Sequence, residues 1–212
     1  NSDVIEYLRD TDTFHSYTSS RAKNGIISEI NIYSFVDSVY VYRLDDSFVR
    51  TGSGVMLINK RLLNSYEWNA PLQEARGGNV IMINGGGAYY KQTGTPLISM
   101  ARDIYDIDSQ KKTGRLVINL NARVLNSAIK DLGNNGRALC FFDQEGHVLW
   151  GDEGLKSSFS QEFVGSGFQY KEINDGKQKK ILCAYSTDNI PIVLVSMSPV
   201  TVTGLHSPET IW

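Results

Sequence analysis

The sequence has little of several features that point to particular functions. Its 21 lysines and arginines are offset by 23 acidic residues, so the formal net charge is −2 and no basic field exists for nucleic acid. The longest uncharged stretch, residues 189–205, contains prolines, serines and threonines and is too polar to cross a bilayer, which needs about 20 apolar residues. We therefore predict no nucleic-acid partner and no transmembrane helix within the chain.

Cysteine and histidine are scarce as well. Cys140 and Cys183 lie in strand-like apolar runs without C-x-x-C spacing, so we interpret both as buried thiols and leave open whether they pair. The three histidines are isolated, and the triple glycine at 85–87 lacks the Lys-Ser/Thr of a phosphate loop. These absences leave no catalytic centre, and we predict no enzymatic activity, no metal site and no cofactor.

What is present is an ordinary globular composition, with 41% hydrophobic and 21% charged residues. Apolar residues spaced by three and four between residues 3 and 34 predict a long N-terminal helix, with a kink near Gly25. The sequence begins at Asn1 rather than at methionine, so we expect it to be a fragment of a longer protein.

One pattern of strand-forming and turn-forming residues occurs twice in the sequence, 100 residues apart. The segments "SVYVYRLDDSFVRTGSG" at 38–54 and "ALCFFDQEGHVLWGDEG" at 138–154 both read as strand, polar turn, apolar pair and a glycine-closed end. A helix-compatible crossover follows each hairpin, at 59–74 and 152–165, and further strand-like segments follow each crossover. The triple glycine is interpreted as a hairpin turn between two of them, "NVIMIN" and "AYYKQ".

A connecting helix separates the two halves. In "NARVLNSAIKDLG", residues 121–133, the apolar side chains share one face, Asn121 suits the N-cap and Gly133 suits the C-terminal end. Each half therefore reads as helix, hairpin, crossover helices and antiparallel strands, which is the order of a PAS-like sensor fold.

We accordingly predict the α+β class, with a long N-terminal helix followed by two tandem PAS-like modules, each an antiparallel sheet with helices. The predicted boundaries are 1–35 for the N-terminal helix, 36–121 for the first module, 122–200 for the connecting helix and second module, and 201–212 for a C-terminal tail.

In order and spacing, these segments resemble the double Cache sensor domains of bacterial two-component histidine kinases and chemoreceptors, and they are most similar to sensors of Gram-positive histidine kinases. The resemblance is carried by "IYSFVDSVYVYRLDDSFVRTG", "SYEWNAPLQEA", "PLISMARDIYDIDSQKKTGRLVINLN" and "GRALCFFDQEGHVLW". It implies an extracellular, membrane-distal first module that binds a small molecule, a homodimeric receptor, and flanking membrane helices that lie outside this chain. Alternatives are the sensor of a chemoreceptor or cyclase, and a secreted carbohydrate- or peptide-binding module.

In this family, amino-acid sensors carry an arginine two places before a Trp-Tyr pair and an aspartate in a later strand. Trp68 matches the tryptophan, but Tyr66, Asn69 and Asn119 stand at the arginine, tyrosine and aspartate positions. Without the arginine, no guanidinium is available to bind the carboxylate of an amino acid through two hydrogen bonds. Without the aspartate, no negative charge is available to bind its ammonium group. The remaining aromatic and neutral polar set suits a neutral sugar or nucleoside-like ligand.

The predicted ligand-binding residues are all polar or aromatic and lie in the first module. They are Tyr66, Trp68, Asn69, Tyr89, Tyr90, Arg102, Asp103 and Asn119. Adjacent strand residues point to opposite faces, so only one of each neighbouring pair, Tyr89 with Tyr90 and Arg102 with Asp103, is expected to face a given pocket. A purely structural role in the core is the alternative for the aromatic residues.

Overall fold

The computed structural model describes residues 1–10, 16–30, 33–52, 56–91, 93–121, 137–165, 167–174, 178–188 and 190–200. These residues form two compact units, the first up to residue 121 and the second comprising most of residues 137–200. The predicted connecting helix and C-terminal tail fall almost entirely outside the described residues.

The N-terminal region contains two helices, α1 (Ser2–Arg9) and α2 (Ser16–Ile30). The prediction of one long helix was wrong, because Asp10 has an extended backbone and ends α1. Arg21 also binds Asp3, 18 residues earlier, which a continuous helix would place about 27 Å away. Gly25, where a kink was expected, lies within the continuous helix α2. Its lack of a side chain leaves room for the side chain of Asn1.

After α2, the described residues of the first unit form seven strands and two short helices. In chain order they are β1 (Val36–Arg43), β2 (Phe48–Gly52), β3 (Met56–Ile58), α3 (Lys60–Leu63), α4 (Tyr66–Glu74), β4 (Val80–Ile83), β5 (Tyr89–Lys91), β6 (Leu97–Tyr105) and β7 (Lys112–Asn121). Five strands form an antiparallel sheet in the order β2-β1-β7-β6-β4, and β3 pairs with β5 as a separate ribbon. The β-branched and aromatic residues of these segments favour strands.

Alternation along β1 separates the two faces of this sheet. Val39 and Val41 pack against α1 and α2. Tyr40 and Tyr42 belong to the opposite cluster, which includes Trp68 of α4. The helices α3 and α4 therefore cover the inner face of the sheet, while α1 and α2 cover its outer face.

The triple glycine does not form the predicted hairpin turn, because β4 pairs with β6 while β5 pairs with β3. Instead, Asn84 and the three glycines 85–87 all have positive φ and form a left-handed turn. Its backbone is closed by hydrogen bonds such as Gly87 N to Asn84 O, 3.0 Å. Glycine adopts this conformation at low cost, which explains the run of three.

The described residues of the second unit form five strands and two short 3₁₀ helices. In chain order they are β8 (Ala138–Phe142), β9 (Val148–Gly151), the 3₁₀ helices Glu153–Ser158 and Gln161–Phe163, β10 (Gly167–Asn174), β11 (Lys179–Thr187) and β12 (Ile190–Pro199). The sheet order is β10-β11-β12-β8-β9. Both cysteines are free; Cys140 is in the core with Leu182 and Ala184, and Cys183 alternates to the other face.

The prediction of a mixed helix and antiparallel sheet class is confirmed by these elements. None of the helices in the described part of the chain combines the length and apolar character needed to cross a membrane.

Candidate ligand-binding site

A cavity of about 480 Å³ lies in the first unit, between the inner face of its sheet and the helices α3 and α4. Its wall combines aromatic rings, amides and charged groups. Those used below are Tyr42, Arg43, Asp46, Lys60, Leu63, Asn64, Trp68, Asn69, Lys112, Gly114 and Arg115. A concave site with an apolar body and a few converging polar groups has the size and character of a small-molecule site.

Trp68 is held rigidly in this wall. Ser65 caps α4 and accepts a hydrogen bond from the Trp68 backbone N–H at 3.3 Å. The indole Nε1–H donates to the carbonyl oxygen of Gly85 at 2.6 Å, so the left-handed turn fixes the ring. The Arg115 guanidinium carbon lies 4.7 Å from the ring centroid, within the range of a cation–π contact.

Arg115 is held by a buried carboxylate on the neighbouring strand. Asp103 of β6 is the cross-strand partner of Arg115 of β7, and the Arg115 Nε donates to Asp103 Oδ1 at 2.6 Å. Lys112 Nζ lies 2.9 Å from the other oxygen of the same carboxylate. Arg115 Nη2 is buried without a hydrogen-bond partner among the described residues.

These contacts set the ionisation of the site. Burial alone would raise the pKa of Asp103, but hydrogen bonds and charge from Arg115 and Lys112 hold that pKa below its ordinary value. Asp103 is thus a carboxylate at neutral pH. Burial also raises the pKa of Tyr42 and of Tyr89, whose hydroxyl donates to Tyr42 at 2.9 Å, so both phenols are neutral.

Two asparagines complete the polar wall beside α3 and α4. Asn69 Nδ2 donates to the carbonyl oxygens of Leu63 and Ser65, at 3.0 and 2.7 Å, and joins the end of α3 to the start of α4. Asn64 is exposed at the mouth, and its Nδ2 donates to Asp46 at 3.4 Å.

The structure brings only part of the predicted set of residues to this cavity. Trp68 and Asn69 line it, and Asp103 lies directly behind its wall through Arg115 and Lys112.

The other predicted residues lie elsewhere in the first unit. Tyr89 and Asn119 are fully buried, and the side chain of Asn119 is hydrogen-bonded to Ser99 and Ser38. The remaining three side chains are exposed and do not line the cavity: Tyr66, Tyr90 and Arg102. As expected, each neighbouring pair contains one buried and one exposed member.

Sequence reasoning missed Arg115, the cation that lies against Trp68. A signal was available, because Arg115, Val117 and Asn119 alternate along β7 and share its inner face. The partnership with Asp103 could not be inferred in the same way, since it depends on the register between β6 and β7.

The cavity is also connected to the N-terminal helix. Arg43, at the end of β1, lines the cavity, and its guanidinium donates to the carbonyl oxygens of Tyr7, at 3.0 Å, and Asp10. Gly114 lines the cavity from β7, and a Cβ there would come within 2.6 Å of Leu8 in α1. The C-terminal end of α1 therefore packs on residues that form the cavity wall.

A second cluster of possible ligand groups lies in the β8–β9 turn. Asp143, Glu145 and His147 each bring one donor atom within 4.8 Å of the others. Asp143 already accepts from the backbone N–H groups of Glu145 and His147, at 3.0 and 2.7 Å, which shapes the turn itself. Glu145 and His147 are exposed, and no further His, Cys, Asp or Glu of the described residues joins the cluster, so it is sufficiently explained as a turn.

No protein-family model and no curated protein matches the sequence. Solved structures do match in fold. The extracellular domain of the histidine kinase vpHK1S-Z8 matches with a TM-score of 0.63 at 13% identity, covering 94% of this chain and 81% of that one. The ligand-binding domain of the Campylobacter jejuni chemoreceptor Tlp3, solved with L-norvaline, gives a TM-score of 0.59 at 12% identity, covering 93% and 78%.

The ligand-binding domain of the Pseudomonas fluorescens chemoreceptor CtaA, solved with L-leucine, is also similar, with a TM-score of 0.56 at 13% identity and coverage of 94% and 83%. These likenesses extend over both units of the chain. They confirm that it has the Cache-type fold of extracellular ligand-binding domains; the Gram-positive origin stays a prediction.

Proposed function

We propose that this chain is the extracellular ligand-sensing domain of a bacterial transmembrane receptor and that it binds a small molecule in the cavity of the first unit. The observation that carries the proposal is the cavity wall itself, in which Trp68 and the buried Asp103–Arg115 pair are held rigid beside an open space. Buried charges are costly to retain, and ionisable groups with perturbed pKa values cluster at functional sites.

The fold supports the same assignment. Similar domains belong to a histidine kinase and to chemoreceptors, and those solved with L-norvaline or L-leucine bind small molecules. For this chain we propose a histidine kinase as the parent receptor, with a chemoreceptor or cyclase as the alternative output. The domain binds its ligand without turning it over.

Signal transmission is proposed to run through α1. Arg43 of β1 lines the cavity and also donates to backbone carbonyl oxygens at the C-terminal end of α1, so a ligand that changes the position of Arg43 changes the contacts that hold this helix. A bound ligand shifts the receptor only if it binds one arrangement of the helices more tightly than the other. In a homodimeric receptor, paired helices would carry this bias across the membrane to the cytoplasmic domain.

A thermal-shift screen with a cavity-blocking variant tests the proposal. A ligand at 100 times its dissociation constant stabilises a protein by about 2.7 kcal/mol, or roughly 5 to 10 °C at this size. Leu63 lines the cavity, so Leu63→Trp should fill it and abolish the shift. Leu57→Trp is the control, because Leu57 is half exposed and does not line the cavity.

Retention of the full shift in Leu63→Trp would remove the ligand from this cavity. Kinase or chemotaxis output of the intact receptor that ignored every compound bound by the domain would contradict the sensing role.

A further inference from the structure

The charge of the cavity restricts which ligands it can hold. Four of its lining side chains are cations, and Asp46 is the single carboxylate among the lining residues of the described chain. The four are Arg43, Lys60, Lys112 and Arg115. Lys112 and Arg115 share one carboxylate, that of Asp103, so the site keeps an excess of positive charge.

Arg115 has hydrogen-bonding capacity left over. The residue is 9% exposed, its Nε is used by Asp103, and its Nη2 is buried without a partner among the described residues. A buried N–H left unpaired is unfavourable, and because the Arg115 side chain lines the cavity, a turn of its guanidinium towards an oxyanion bound there would give this N–H an acceptor.

The cavity offers much less to an ammonium group. Asp46 is exposed at the mouth and already accepts from Asn64, and Asp103 lies behind the two cations that it pairs with. An α-amino acid would bring its positive charge into a site with excess cations, whereas a second negative group would meet Lys60 at the rim. Lys60 is exposed on α3 and forms no ion pair with any of the described residues.

We propose that the ligand is a small organic anion with two or more negative charges and no ammonium group, such as a dicarboxylate, tricarboxylate or phosphate ester. In a di- or tricarboxylate, one carboxylate binds Arg115 beside Trp68 and another faces Lys60, whereas a phosphate ester places its dianionic group at Arg115. This inference rests on the proposed function, because it names the ligand class of the same cavity. It replaces the neutral sugar or nucleoside expected from the sequence, for which Arg115 and Lys112 had not been taken into account.

Isothermal titration of the domain with six probes tests this inference: succinate, citrate, glucose 6-phosphate, leucine, glucose and adenosine. At least one of the three polyanions should bind, with leucine and the neutral compounds weaker. Lys60→Gln should weaken the binding of that polyanion about two- to fivefold, as for an exposed ion pair. Arg115→Lys keeps the charge beside Asp103 but loses the planar fork, and should weaken binding about tenfold.

Lys156→Gln is the matched control, since it removes an exposed lysine from the second unit and should leave the dissociation constant unchanged. Rising sodium chloride concentration should weaken the polyanion in the wild type more than in Lys60→Gln. The outcomes for carboxylates and for glucose 6-phosphate separate an organic acid from a phosphorylated compound.

The result that overturns the inference alone is tighter binding of leucine, glucose or adenosine that is lost in Leu63→Trp, because the cavity would then bind a ligand of another class. Polyanion binding that Leu63→Trp and Lys60→Gln leave unchanged would overturn both the inference and the cavity assignment. Failure of all three polyanions to bind would also overturn the inference.

Discussion

The two five-stranded sheets have the same strand order but very different inner faces. When the five strands of each sheet are numbered 1 to 5 in the order in which they follow along the chain, both sheets have the strand order 2-1-5-4-3. The second unit packs its sheet around an apolar cluster that includes Phe142, Val193 and Val195, and Ser186 is the one buried polar residue of its described part. Seven of the eight buried polar or charged residues in the described chain lie in the first unit, among them Asp103 and Arg115.

This difference separates what the fold requires from what the first unit does. The second unit forms the same strand order with Ser186 as the one buried polar side chain and with no buried charge among its described residues, so this topology does not require a buried ion pair. A buried ion pair is seldom more stabilising than apolar side chains of the same volume. The strand order therefore does not explain the charged groups of the first unit, and we interpret them as part of the proposed ligand site beside the cavity.

The largest expected effect follows from breaking the buried pair. Asp103→Ala leaves the Arg115 guanidinium buried without its carboxylate, which should cost about 3–5 kcal/mol of unfolding free energy. Urea unfolding measures the loss. Asp108→Ala, an exposed acid in the turn before β7, should change stability by less than about 0.5 kcal/mol.

Replacing the buried ion pair of the first unit by apolar side chains, like those in the core of the second unit, makes this test more specific. In Asp103→Leu with Arg115→Met, no buried charge is left unpaired, since Lys112, which also loses Asp103, is about one-third exposed; most of the lost stability should therefore return while ligand binding does not. A double variant as unstable as Asp103→Ala would mean that the pair is needed for folding.

The next largest effect concerns the left-handed turn, which connects β4 to β5 in the first unit. An alanine Cβ at Gly85 would lie 2.4 Å from the ring of Tyr89, in addition to the strain of φ +56°. We expect Gly85→Ala to cost about 2–3 kcal/mol. Gly94→Ala, at φ +67° with open space, isolates the backbone strain and should cost about 1 kcal/mol. Equal losses in the two variants would show that contact with Tyr89 is unimportant.

A smaller effect is expected on the pH dependence of stability. The folded-state pKa of Asp103 is lowered, so its contribution is fully present above the unfolded value of about 3.9 and is lost as pH falls through the folded pKa. Denaturant unfolding between pH 6 and pH 2.5 should therefore show a steeper acid loss for wild type than for Asp103→Asn. Parallel curves would contradict the assignment of a charged Asp103 in the folded protein.

The smallest effects are predicted for the exposed residues that the sequence had suggested. Tyr66 is 76% exposed and Arg102 is exposed on β6, so alanine at either position should change stability by less than about 0.5 kcal/mol and leave ligand affinity unchanged. Loss of the ligand-induced thermal shift in Tyr66→Ala would place the ligand outside the cavity and would support the ligand-binding residues predicted from the sequence.

The elements with strong local patterns could be predicted from the sequence, and those that depend on long-range pairing could not. The strands around Tyr40, Val117 and Leu182 follow from their β-branched and aromatic residues. The glycine run signalled a turn, but only the pairing of β5 with β3 excludes a hairpin. Within the site, Trp68 was found from its motif, whereas Arg115 became visible only once the register placed it beside Asp103.

The most direct test of ligand binding in the first unit is an NMR titration that follows the indole N–H signals of the three tryptophans, assigned with Trp→Phe variants. The probe is whichever compound gives the largest thermal shift. We predict that the Trp68 signal moves in saturable fashion, since Trp68 lines the cavity, while that of Trp150 in the second unit stays in place. Movement of the Trp150 signal with Trp68 unchanged would contradict ligand binding in the first unit.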